Sequence, residues 1–193
     1  MKNRTGHALM EFLMATAVVA AIGMVVVAIL SSTLRGTKKT DIISSIRING
    51  NQAIVQMTRL TKFAKEFEGV SKDGSPNSYS LSCVVEKVMV PTPTPTPILY
   101  KYLKFIAEDG GEIIFSCDEG NKTIASNSAS LIDTNVVEVL PNKCWFTCIQ
   151  NRVSNTPIVR VYFELKQAGT ATFAESQFFI PFETSFLLKN LAK

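Results

Sequence analysis

Residues 6–30, GHALMEFLMATAVVAAIGMVVVAIL, are the stretch to which everything downstream must be attached. From Leu9 to Leu30 the only ionisable side chain is Glu11. At about 1.5 Å of rise per residue this run makes a helix of about 33 Å, close to the hydrocarbon thickness of a bilayer. Eleven of its residues are Leu, Ile, Val or Phe. Each favours membrane insertion by about 0.3–0.6 kcal/mol, or about 3–7 kcal/mol in sum. One carboxylate costs about 3 kcal/mol at mid-membrane and less near the interface. The expectation is a helix that inserts, with Glu11 towards its N-terminal end. A secretory signal peptide would have a shorter apolar core followed by a small-residue cleavage site, which Ser31-Ser32-Thr33 matches poorly.

An intramembrane charge calls for a partner. A cut after Gly6 would leave a free α-ammonium on His7, one helical turn before Glu11. A neighbouring copy of such a helix would offer that ammonium to the glutamate. The first turn of a helix also favours negative charge. The order Met1-Lys-Asn-Arg-Thr-Gly6, His7-Ala-Leu-Met-Glu11 and then an apolar helix resembles the prepilin leader of type IV pilins and type II secretion pseudopilins. The resemblance implies cleavage between Gly6 and His7 by a prepilin peptidase, N-methylation at His7, and a role for Glu11 in filament assembly. The family usually has Phe or Met after the cut, where this chain has His7. It implies as partners the prepilin peptidase, other pilin or pseudopilin subunits through the N-terminal helix, an inner-membrane assembly platform, and membrane lipid before assembly. It implies a single-pass protein of the cytoplasmic membrane, N-terminus inside and C-terminal domain outside, that later enters a surface or periplasmic filament. Gln56-Met57-Thr58-Arg59-Leu60 and the ending Phe182-Glu-Thr-Ser-Phe-Leu-Leu-Lys-Asn190 are similar, more loosely, to J-type minor pseudopilins and W-type minor pilins, which are initiation or tip subunits. The implied fold is α+β and pilin-like: one long helix, membrane-spanning then amphipathic, packed on antiparallel sheet.

On this reading residues 1–6 are a leader, 7–34 the membrane or filament-core half of the helix, 35–68 its amphipathic half, and 69–193 a β-rich domain. In the amphipathic half Ile43, Ile46, Ala53, Met57, Leu60, Ala64 and Phe67 recur in steps of three, four and seven, which mark one helix face. Asn49-Gly50-Asn51 is the expected weak point of that helix. Residues 68–77 are turn-rich. Strands are expected over Tyr79–Val90, Ile98–Ala107, Glu112–Asp118, Val136–Leu140, Lys143–Gln150, Ile158–Gln167 and Gln177–Leu188. Glu108–Gly111 should turn a hairpin, and Pro181 suits only an edge strand or a bulge. Residues 119–135 read as a loop. Pro91–Pro97 alternates Pro with Thr and reads as a semi-rigid connector between strands.

The four cysteines, Cys83, Cys117, Cys144 and Cys148, all follow the apolar segment. An even count in an exported domain suggests two disulfides with three possible connectivities; the expected pairing is Cys83–Cys117 and Cys144–Cys148. A zinc site is disfavoured, because the only histidine is His7 and no CxxC is present. The acidic turns Glu108-Asp109 and Asp118-Glu119 lack the alternating oxygen ligands of a calcium loop. No metal and no cofactor is therefore expected. The net charge of +4 lies largely in the leader and the first 65 residues, and no aromatic-basic motif supports binding of nucleic acid. Trp145 reads as a packing anchor. No nucleophile–histidine set and no phosphate loop occurs, so the expectation is not an enzyme. The competing reading is a membrane-anchored binding module, an adhesin or ligand receptor without assembly.

Overall fold

A computed structural model describes residues 5–81, 83–85, 98–150, 157–169 and 178–187. The start of the expected leader, the Pro-Thr connector, part of the strand expected before it and the last residues of the expected ending lie outside these. Helix α1 runs from Thr5 to Lys62. The chain forms two compact units, Met1–Asp41 and Ile42–Lys193. The first, as described, is helix alone. The second carries the rest of α1 and all the sheet, and the architecture is α+β as expected.

Beyond α1 come β1 (Ala64–Ser71), β2 (Val84–Val85), β3 (Tyr102–Ala107), β4 (Glu112–Asp118), β5 (Thr123–Ser126), β6 (Ala129–Ser130), β7 (Val137–Gln150), β8 (Pro157–Gln167) and β9 (Phe179–Leu187). They form two sheets, ordered β1-β3-β4-β5-β6 and β2-β7-β8-β9. Every pair is antiparallel except β2 on β7. The alternation expected of a half-buried strand holds in β8 as far as Phe163, after which Glu164, expected to face out, is buried as well. There Val159, Val161, Phe163 and Leu165 are fully buried, while Ile158 and Arg160 face out. Pro181 sits on β9, the end strand of its sheet, where a missing N–H does least harm.

The second half of α1 closes the core. Ile46, Ala53 and Met57 are fully buried and share one cluster with Phe67, Phe105 and Phe115 of the first sheet and Phe146, Phe163 and Phe182 of the second. Asn49-Gly50-Asn51 is not a break. The helix runs through it, Asn49 Oδ1 accepts a hydrogen bond from the Asp133 amide at 2.9 Å, and Gly50 is buried against the Phe182 ring. A glycine was needed there for close approach, not for bending.

Three further expectations are corrected. The helix ends at Lys62, not Glu68, and Ala64–Ser71 is strand. The spacing misled because β1 carries two bulges, between Ala64 and Glu66 and between Phe67 and Gly69. Each inserts one residue, so Ala64, Phe67 and Val70 all point inward three apart, imitating a helical repeat. Residues 119–135 are not simply loop: β5 and β6 form a small hairpin, turned at Asn127-Ser128, both with positive φ.

The disulfides are Cys83–Cys148 and Cys117–Cys144, not the expected pairs. Cys144 and Cys148 lie on one strand. Four residues of strand span about 13 Å, beyond the roughly 7 Å Cα limit for a bridge. Cys83 precedes the strand that pairs Val84 with Ile149, which sets it beside Cys148 with Cα atoms 4.9 Å apart. Cys117 and Cys144 stand on different sheets, and their bond ties the two together. The Tyr100–Phe146 bridge reinforces the same seam, with amide–carbonyl distances of 2.9 and 2.8 Å.

Candidate functional site

The site residues expected from sequence divide between the two units. Gly6 and His7 lie in the first turn of α1, and Glu11 follows one turn later on an exposed surface. The expected cleavage point is therefore helical in this chain. Among the described side chains Glu11 has no ion-pair partner.

Downstream of Glu11 the helix is apolar on every side. Phe12 is 69 % exposed, Val19 69 % and Met24 74 %, so large apolar side chains stand out all round this segment. Thr16 and Thr33 do not interrupt it, because their hydroxyls donate to the carbonyls of Leu13 and Ile29 at 3.0 and 2.9 Å. A hydroxyl satisfied within its own helix carries little cost into an apolar medium. Arg35 and Lys38 then mark the polar end. This helix is long and apolar enough to cross a membrane.

In the domain, the buried charged groups are partnered, while the hydroxyls of Thr61 and Tyr79 are buried without a hydrogen-bond partner. Lys104 meets Glu112 at 2.8 Å and Glu68 at 3.0 Å, and the bond to Glu112 leads in raising its pKa against the opposing effect of burial. Glu138 loses solvent on burial, which alone would raise its pKa, but Lys166 and Lys122 at 2.8 and 3.0 Å outweigh that and hold it low. Glu164 accepts from the Tyr162 hydroxyl, whose pKa is pushed up to about 12, chiefly by that bond. Trp145 stacks on the Tyr162 ring with centroids 4.3 Å apart, as a packing anchor should. These groups are satisfied by one another and are not aimed at a shared reacting point.

The acidic turns are engaged in the same way. Asp109 accepts from the Gly111 amide, and Asp118 from both the amide and the side chain of Asn121. Glu119 pairs with Lys101 at 2.6 Å. Among the described residues no group of three or more His, Cys, Asp or Glu side chains is placed to hold a metal ion.

The early end of α1 opens a feature that the sequence does not foreshadow. A cleft of about 410 Å³ lies at that end, lined by Thr58, Thr61, Lys62, Phe67, Phe105 and Phe186 among others. Within β1, Gly69 adopts φ +138°, a conformation that favours glycine.

No protein-family model, curated protein or solved structure matches this chain.

Proposed function

We propose that the protein is a minor pilin- or pseudopilin-like subunit, cut between Gly6 and His7 and assembled into a filament through its N-terminal helix. The observation that carries this reading is the combination in α1: Gly6, then Glu11, then an all-round apolar exposed segment continuous with a helix docked into an α+β domain. A membrane anchor needs the apolar segment alone. The lone carboxylate costs about 3 kcal/mol at mid-membrane and is the part an anchor does not require. A neighbour's new α-ammonium, carried on His7, supplies the missing partner. Before assembly, lipid surrounds the segment, the N-terminus is cytoplasmic and the domain is outside, where its disulfides form. The peptidase and an inner-membrane assembly platform are the implied partners.

The test is intact mass and N-terminal sequence after co-expression with an active prepilin peptidase. The expected product begins at His7, with or without one methyl group. Glu11→Ala should still insert and be cut, but enter filaments poorly. A chain that keeps Met1 while a control substrate is cut would favour the second reading, a membrane-anchored binding module. The cleft at the end of α1 is the observation that keeps that reading in play.

A further inference from the structure

The two sheets are joined along one seam by Cys117–Cys144 and the Tyr100–Phe146 bridge. Away from that seam, β1 and β9 each end their sheet, and the 410 Å³ cleft lies between them. Ser185, Phe186 and Leu187 are consecutive, and all three line it. Side chains alternate across a sheet, so a space touched by three in a row runs along the edge of the strand and not over one face. Ala64, Glu66 and Phe67 line it from β1. Its floor is Phe67, Phe105 and Phe186, and the last turns of α1 close one end. Thr61 Oγ1, within that end, is buried with no hydrogen-bond partner.

Two further observations say what fits. The far end of the β1 edge already accepts extended chain: Val70 and Ser80 exchange amide–carbonyl bonds of 3.1 and 3.0 Å. Lys62 is the one basic residue in the lining, Arg59 stands one helical turn before it, and neither is ion-paired among the described residues. Glu66 is the one acid in the lining.

We propose that this cleft receives an extended segment of a protein partner, with alternating apolar and acidic side chains, which adds as a strand along the edge of β9. Main-chain bonds to the edge give affinity, the phenylalanine floor takes the inward side chains, and Lys62 selects carboxylates. The volume falls in the range of about 300–1,000 Å³ usual for binding clefts. The proposal is independent of N-terminal processing.

The test uses the detergent-solubilised full chain and two labelled peptides, Glu-Val-Thr-Val-Glu-Val and Lys-Val-Thr-Val-Lys-Val, followed by fluorescence anisotropy and hydrogen exchange. The acidic peptide should bind and slow exchange over residues 183–187. Lys62→Glu, an exposed change, should weaken it about fivefold and favour the basic peptide. Ser185→Trp should fill the cleft and abolish binding of both. Equal binding of both peptides with no effect of Lys62→Glu would overturn the proposal, as would no binding at all or protection elsewhere in the chain. It also fails if those 183–187 amides that do not bond to β8 are already protected in the free chain, or if a small apolar molecule co-purifies in the cleft.

Discussion

The two halves of α1 share one backbone geometry and opposite surroundings. Up to Leu34 the large apolar side chains are exposed on all sides. From Ile42 on one stripe, Ile46, Gly50, Ala53 and Met57, is buried, Ile42, Ile54 and Leu60 flank it half-buried, and the opposite side faces out. A stripe needs one apolar neighbour, and the β domain supplies it. An apolar cylinder needs an apolar surrounding, which lipid or packed helices provide. Helix formation is thus the same in both halves, and what distinguishes them is how the apolar residues are spaced.

Methionines in the two halves test this with one substitution. Met57 is fully buried and Met24 is 74 % exposed. Met57→Ala should destabilise the domain by about 2–5 kcal/mol in urea unfolding followed by Trp145 fluorescence. Met24→Ala should move the same midpoint by less than about 0.5 kcal/mol. Equal effects would mean that the first half also packs within the chain.

Next in size is the seam. Cys117–Cys144 closes a separation of 27 residues, so its removal should cost about 3.5 kcal/mol by loop entropy. Cys117→Ala with Cys144→Ala should lower the unfolding midpoint and leave membrane insertion of α1 unchanged. Non-reducing peptide mapping should recover Cys83 with Cys148; a Cys83–Cys117 peptide would break the pairing of β2 with β7.

What was legible in the sequence follows the same division. The apolar segment could be read because composition alone defines it, and β8 because its alternation is regular. The end of α1 could not, since bulges in β1 gave the strand a repeat of three. The disulfides were obscure because pairing depends on sheet order: Cys83 lies near Cys148 only once β2 adds beside β7. Gly50 looked like a break because propensity sees a missing side chain and not the Phe182 ring that occupies its place. For the proposed site, Glu11 stands out as the one ionisable side chain of the apolar run, and Gly6 and His7 are named through the resemblance to prepilin leaders, whereas the cleft requires two strands far apart in sequence to face each other.

Glycines sharpen the comparison further. A Cβ at Gly50 would overlap the Phe182 ring, while at Gly23 or Gly36 it would meet nothing within 4 Å. Gly50→Ala should therefore cost about 1–3 kcal/mol through overpacking, and Phe182→Leu in the same chain should recover part of it. Gly23→Ala and Gly36→Ala should instead firm the helix by about 0.5–1 kcal/mol each, read as helicity in micelles. A Gly50→Ala chain as stable as the parent would show that α1 sits away from β9.

The smallest effect is one of charge. Glu11 has no ion-pair partner among the described side chains, whereas the domain encloses Glu164 with Tyr162 and Lys143. The hydrogen bond to Glu164, then burial, push the Tyr162 pKa from 10.0 up to about 12. Folding therefore favours the protonated phenol. Its contribution is complete below about pH 10 and is lost as pH rises through about 12. Phenolate absorbance, compared between the parent and Tyr162→Phe, isolates this group from the other tyrosines. Glu164→Gln removes the carboxylate that opposes a phenolate, so the Tyr162 titration should fall towards its ordinary value. An unchanged titration in Glu164→Gln would mean that burial alone holds the phenol, and that the carboxylate is satisfied by Lys143 without it.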